Sequence, residues 1–246
     1  MKNIVIIVQA RMGSTRLPGK IIKTVSGIPL LLFQYQRLAH STLANKIVIA
    51  TTTNKNDILI ENLCKENSIL SFRGSENDVL KRYYDAAIYF KADVIVRINS
   101  DCPLIDPKVV DHVINSFLSS KDKVDYASNI LEETYPLGMH IEVFSQHALK
   151  KAFICAKKPD EREHVTPYIY RNPSLFKLLS IANERNLSNH RWTIDYEEDL
   201  EFITKIVEKI ILDNIQLNMN QIVNFIESNN KIMEINAMHK KKQSLL

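Results

Sequence analysis

Glycine is scarce in this chain, with five in 246 residues, and two familiar ways of holding a phosphate are missing with it. The dinucleotide fingerprint G-x-G-x-x-G is absent, because only Gly13 lies near the end of the first apolar run. A P-loop needs four residues between its glycines and Ser or Thr after its lysine. Here five residues separate Gly13 from Gly19, and Ile21 follows Lys20. Cysteine is sparse too: Cys64, Cys102 and Cys155 lie far apart, with no CxxC or Cys/His spacing. An odd, scattered count argues against a disulfide framework or a zinc site, and each thiol is expected to be a small buried hydrophobe. The apolar run at residues 3–9 is too short for a membrane span, and Gln9 and Arg11 follow it where a signal peptide would carry small residues. We therefore expect a cytoplasmic protein without a membrane partner. The net charge of +4 suits small anionic ligands, but it lacks the concentrated basic face of a nucleic-acid binder.

What is present is an ordinary globular balance, 45% hydrophobic and 24% charged, enough for a sizeable core. The length suits one domain, expected over residues 1–230, with a tail over 231–246 whose basic run at 239–243 is merely solvated. β-Branched runs at 3–9, 46–50, 69–72 and 93–98 read as strands. Between them, 30–39, 57–66 and 76–90 read as helices, the last opened by Ser75 with Glu76 and Asp78 in its first turn. This alternation predicts an α/β fold with a mostly parallel sheet and helices on both faces. After a helix at 107–118 the pattern changes to a small mixed region. Strands are expected at 125–128, 139–144 and 177–182, and helices at 161–170 and 197–211.

Open sheets of this kind bind ligands at the carboxyl ends of their strands. Two polar segments fall there. The first, after residue 9, carries Arg11, Arg16 and Lys20 among Gly13, Gly19, Ser14 and Thr15. Exposed amides and mixed cations of this kind can cradle phosphates, although the same residues could form a solvated basic turn. The second is Asn99-Ser100-Asp101. Asp101 can bind a metal or cap its own turn, and Asp195 can do the same or cap a helix in a capping box with Glu198.

The run from Gln9 to Lys20, QARMGSTRLPGK, resembles the opening signature of cytidylyltransferases that activate sugar acids, the group of spore coat polysaccharide biosynthesis protein F and the CMP-Kdo synthetases. Further blocks follow in the expected order: Ala50-Thr51-Thr52-Thr53, Phe72-Arg73-Gly74-Ser75, Asp101-Cys102-Pro103-Leu104-Ile105-Asp106-Pro107, EREHVTPYI at 161–169 and Arg191-Trp192-Thr193-Ile194-Asp195. The resemblance implies a Rossmann-like nucleotide-diphosphosugar transferase fold. It implies that Ala10, Arg11, Gly13, Ser14, Arg16, Lys20 and Ser100 hold the CTP phosphates and their surroundings, with Arg73 and the backbone of Thr51, Thr52 and Thr53 bordering cytosine and ribose. Asp101 and Asp195 would bind Mg²⁺, the cofactor, and with Arg11 and Lys20 would form the catalytic set. Tyr135, His140, Glu142, Arg162 and His164 would face the sugar, within a segment 125–180 that would also make a homodimer contact. Ser100 and His140 stand where relatives often carry Gly and Asp, and Met12-Gly13-Ser14 differs from the Gly-Gly-Ser core of sialic acid synthetases.

The implied reaction is transfer of CMP from CTP to the anomeric hydroxyl of a 2-keto-3-deoxy sugar acid for surface polysaccharide or glycan assembly. Rival readings are a nucleotidyltransferase using another nucleotide or a sugar phosphate, and a nucleotide-sugar-dependent glycosyltransferase. The chain has no DxD motif near Asp101.

Overall fold

A computed structural model describes residues 2–239. Seven strands form one sheet in the order β5-β4-β1-β6-β8-β7-β9. These are β1 (Ile4–Gln9), β4 (Lys46–Thr52), β5 (Leu70–Gly74), β6 (Val94–Asn99), β7 (Tyr126–Ser128), β8 (Glu142–Ser145) and β9 (Leu178–Ser180), while β2 (Thr24–Val25) and β3 (Ile28–Pro29) make a small separate hairpin. β5, β4, β1 and β6 run parallel; β8 is antiparallel to β6 and β7, and β9 is parallel to β7. The expected parallel sheet with a mixed extension is what forms. Alternate residues of β1 explain why it sits centrally: Ile4, Ile6 and Val8 face one core cluster, Val5 and Ile7 the other, and all five are buried. Burial of each such side chain contributes about 1.5–3 kcal/mol.

On the first face pack α1 (Leu30–Leu38), α2 (Ile58–Glu66), α4 (Pro107–Ser119), α8 (Glu197–Leu212) and α9 (Met219–Glu227). The second face takes α3 (Val79–Tyr89), α5 (Gln146–Cys155), α6 (Pro159–His164) and α7 (Pro167–Tyr170). A short α10 (Asn230–Glu234) follows α9. Among the described residues no helix is long and apolar enough to cross a membrane.

Several boundaries differ from the sequence reading, each for a local reason. α3 begins at Val79, because the Asp78 carboxylate accepts from the Lys81 amide as N-cap, while the Ser75 hydroxyl accepts from Asp78 one turn earlier. β8 starts at Glu142: Met139 and Ile141 give their backbone bonds to the Asn129 side chain, at 2.7 and 2.8 Å, where a strand would use a ladder. The single helix expected at 161–170 is two, broken at Val165 with φ 73° ahead of Pro167. A positive φ on a β-branched residue is strained backbone. α5 and α9 carry no counterpart in the sequence reading. Cys155 is exposed at the end of α5, unlike buried Cys64 and Cys102.

The chain beyond residue 230 is also more than a tail. Asn236 is 1% exposed, donating to the Arg191 carbonyl and the Asp199 carboxylate at 3.0 Å each, and His239 stacks on Tyr196 at 4.0 Å. The rest of the basic run, 240–243, lies outside the described residues.

One close approach fixes how the late segment meets the middle of the chain. Gly138 has φ 106°, and a Cβ there would stand 2.7 Å from both the carbonyl carbon and oxygen of Trp192. Leu137 and Trp192 bond there through their backbones, at 2.6 Å. Gly138→Ala should therefore cost about 1–3 kcal/mol in backbone strain alone, read as a lowered urea midpoint with unchanged slope; a wild-type midpoint would contradict this account of the crossing.

Candidate active site

The sheet puts the ends of β1 and β6 side by side, Gln9 in register with Asn99, so the two polar segments that follow them open on one cleft. The first loop is anchored at its start by Asp57, which is 2% exposed. Its carboxylate accepts from the Met12 amide at 2.7 Å and from the Thr52 hydroxyl. From there the loop returns to Lys20, whose ammonium is the centre of the site. It donates to Asp101 Oδ2 at 2.8 Å, to Asp195 Oδ1 at 3.0 Å and to the Ile194 carbonyl. Arg16 Nη2 reaches Asp195 Oδ1 at 2.7 Å.

Asp195 is delivered by a rigid frame. The Ile194 amide donates to the Asp101 carbonyl at 2.9 Å, and the Thr193 hydroxyl approaches the same oxygen at 3.3 Å. Behind it, Arg191 binds Asp199 through Nε and Nη2, both at 2.8 Å, and reaches Asp195 Oδ2 at 3.0 Å. The Asp199 carboxylate also accepts the amides of Asp195 and Tyr196. Asp199, rather than Glu198, thus caps α8, with Tyr196 as the N-cap residue. The Asp195 side chain is left facing the cleft. Its electrostatics follow from this geometry. Burial alone would push the Asp195 carboxyl up, but Lys20 and Arg16 outweigh it and hold it at about 2. Burial likewise pulls on Lys20, and the two carboxylates outweigh that pull, raising its pKa.

Two cavities adjoin here. The first, of about 370 Å³, is lined by Ala10, Arg11, Gly13, Ser14, Arg16, Lys20, Ser100, Asp101 and Asp195, together with Gln9, Arg82 and Asn99. The second, of about 380 Å³, includes His140, Glu142, Arg97, Tyr170 and Arg171. Asn99 and His164 line both. At the base of the second, Arg97 Nη1 meets Glu142 at 2.5 Å and the Tyr126 hydroxyl donates to the same carboxylate. Burial keeps the His140 imidazole below its usual pKa, hence neutral at pH 7. Gln9 Oε1 and Asn99 Oδ1 are buried with no hydrogen-bond partner among the described residues, an arrangement that a bound ligand would relieve.

Other expected residues lie elsewhere. The side chains of Thr51 and Thr52 are fully buried, that of Thr52 serves Asp57, and neither residue lines these two cavities, which leaves only their backbone for a base. Thr53 is exposed at the end of β4. Arg73 pins the turn after β4, donating to the Thr52 and Asn54 carbonyls at 2.9 Å each and to Glu61. Arg162 joins α6 to α3 through Asp78 and to α5 through the Phe153 carbonyl. Tyr135 borders a separate recess with Asp106 and Met219. In the other direction, the sequence reading passed over Arg82, Arg97, Arg171 and the orienting pair Asp199 and Asn236, and it named Gln9 and Asn99 without giving either a role. Gln9 and Asn99 carried a signal, being the polar ends of buried strands.

Residues 5–232 match the family model described as cytidylyltransferase. The chain belongs to the cytidylyltransferase family. This cytidylyltransferase is 35% identical to the spore coat polysaccharide biosynthesis protein SpsF of Bacillus subtilis, over 85% of this chain and 88% of that one. A 3-deoxy-manno-octulosonate cytidylyltransferase of Trichlorobacter lovleyi is 32% identical across 48% of this chain and 46% of its own. A solved cytidylyltransferase of Leptospira borgpetersenii superposes with a TM-score of 0.90 at 34% identity, covering 100% of both chains. The cytidylyltransferase is thus a CTP-dependent nucleotidyltransferase, with the α/β fold of its solved relative.

The low pKa of Asp195 makes acid stability a test of the central ion cluster. A carboxylate at about 2 when folded and about 3.9 unfolded contributes stability that is present above pH ~4 and lost as pH falls towards 2. Urea melts at pH 6 and pH 3 should show Asp195→Asn losing about 1 kcal/mol less than wild type over that interval. Identical losses would mean that Lys20 and Arg16 do not hold the carboxylate.

Proposed function

We propose that this enzyme transfers CMP from CTP to the anomeric hydroxyl of a 2-keto-3-deoxy sugar acid, releasing pyrophosphate, in surface polysaccharide or glycan assembly. The observation that carries the reading is the meeting of Asp101 and Asp195 on one ammonium at the mouth of the loop that bears Arg11, Arg16 and Lys20. In the reaction the anomeric oxygen bonds to the α-phosphorus, the bond from that phosphorus to the bridging oxygen of the β-phosphate breaks, and the hydroxyl proton passes to solvent. Lys20 and the arginines stabilise charge growing on the departing pyrophosphate. Asn99 and His164, at the junction of the two cavities, mark where acceptor and α-phosphate meet.

The donor set suits Mg²⁺. Two carboxylate oxygens converge on one point beside an open cleft, and Mg²⁺ favours a few carboxylates completed by phosphate oxygens and water. Among the described residues no group of three or more His, Cys, Asp or Glu is placed to hold a metal, so Asp101 and Asp195 would share it with the substrate. Bound there, the ion would lower the pKa of the attacking hydroxyl and screen the α-phosphate.

The sugar-acid assignment draws on the SpsF and 3-deoxy-manno-octulosonate relatives and on the second cavity. Arg97 is committed to buried Glu142. Arg171 pairs with Asp160, and both side chains are more than 40% exposed. An exposed pair of this kind is screened by water and holds weakly, so Arg171 is free to take an acceptor carboxylate. The proposal includes a homodimer through residues 125–180, where Ile154 and Leu175 are exposed.

Pyrophosphate release with Mg²⁺, each nucleoside triphosphate and a panel of 2-keto-3-deoxy sugar acids and sugar phosphates tests the reading. Turnover is expected with CTP and a sugar acid, and Asp101→Asn should fold normally while losing about a hundredfold or more in rate. Turnover with a sugar phosphate alone would reassign the acceptor, and full activity in the Asn variant would remove Asp101 from the chemistry.

A further inference from the structure

Burying an arginine is costly, and the fold gives two of them a fuller set of acceptors than a third. Arg37 is 1% exposed, with Nε and Nη2 donating to the carbonyls of Ile105, Leu104 and Leu217. Arg191 is clasped by Asp199 and Asp195. Arg82, on α3, is 2% exposed and has no such set. Its Nη1 donates to the Ser75 carbonyl at 2.6 Å, and its Nε is buried with no partner. Among the described residues no carboxylate makes an ion pair with it. Burial lowers its pKa, and the nearby Arg11 adds to that pull. Asp57 and Glu76 pull the other way from a distance, but both are engaged, Asp57 with Met12 and Thr52, Glu76 with Asn54.

Room for this side chain is reserved by Gly74 at the end of β5. A Cβ at that position would stand 2.9 Å from Arg82 Cγ and 3.3 Å from its Cβ, closer than packing allows. The Arg82 side chain lines the same cavity as the phosphate loop. Of the cations there, Lys20 and Arg16 already hold carboxylates, while Arg11 and Arg82 hold none. Two uncompensated like charges on one cleft, one of them buried, are offset by an anion and not by a neutral base or a hydroxyl.

We infer that Arg82 is a buried anchor for the phosphate groups of the nucleotide, acting with Arg11 from the α3 wall of the cleft. The inference rests on the reading that this cleft takes CTP, and it adds a phosphate ligand from outside the loop. Arg82→Met keeps most of the side-chain volume and removes the charge. Calorimetry with CTP, cytidine and inorganic tripolyphosphate should show the variant weakened about tenfold or more for CTP and tripolyphosphate, with cytidine unchanged and Arg82→Lys recovering part of the loss. The ligand-free Met variant should melt at or above the wild-type temperature, because an unpaired buried cation has gone. Equal affinity of wild type and Met variant for tripolyphosphate would overturn the inference. So would an equal loss for cytidine, which would make Arg82 a reader of the base, and so would a Met variant that melts far below wild type or fails to fold. If wild type binds CTP no better than the other nucleoside triphosphates, the CTP reading fails, and the tripolyphosphate comparison still decides the role of Arg82.

Discussion

The ammonium of Lys20 joins three stretches of chain that are remote in sequence, since Asp101 lies 81 residues away and Asp195 lies 175. Its side chain is only 12% exposed and that of Asp195 10%, so each group needs the other to offset its own desolvation. Much of the surrounding structure serves this contact. Asp57 holds the start of the loop, the Asp101 carbonyl takes the Ile194 amide, and Arg191 with Asp199 sets the angle of Asp195. Removal of one partner would leave the others charged and facing a cleft.

The same contact describes a site balanced for exchange. Lys20 stands on the two oxygens proposed for the metal, so the resting protein is electrically complete on that side. A divalent ion, if held there by Asp101 and Asp195, would take the place of the ammonium and free Lys20 to meet a phosphate. On the α3 side the balance is opposite: Arg11 and Arg82 have no carboxylate, and only an anion completes them. One wall is neutralised in advance and the other waits.

The parallel half of the fold was legible because both faces of β1, β4 and β6 are largely buried, which writes near-continuous apolar runs into the sequence. The mixed half was less so. Asn129 replaces a ladder at 139–141, and Val165 adopts a left-handed φ that no periodicity announces. Within the site, the residues at strand ends and in ordered blocks could be read: Arg11, Lys20, Asp101 and Asp195 converge on one cavity. Residues that act from a helix interior could not. Arg82 looks like one more charge on an amphipathic helix, and Asp199 like a first-turn acid, until the packing shows one with no carboxylate among the described residues and the other wholly buried. Arg162 and Arg73 were legible as important cations, but they hold the framework together and stand outside the two cavities.

The crossing at Gly138 bears on when the site comes into being. It is the place where the segment carrying Asp195 is laid against the middle of the chain, with the Trp192 backbone within reach of a glycine and of nothing larger. The segment is buried at Trp192 and Ile194 and is sealed from behind by Asn236, near the end of the described chain. A polypeptide emerging from its N-terminus can complete the parallel strands, the phosphate loop and Asp101 early, since these need only its first 105 residues or so. The second carboxylate arrives only when the chain is nearly whole. Assembly of the cleft is therefore a closing step of folding, and an incomplete chain carries the loop without the means to use it.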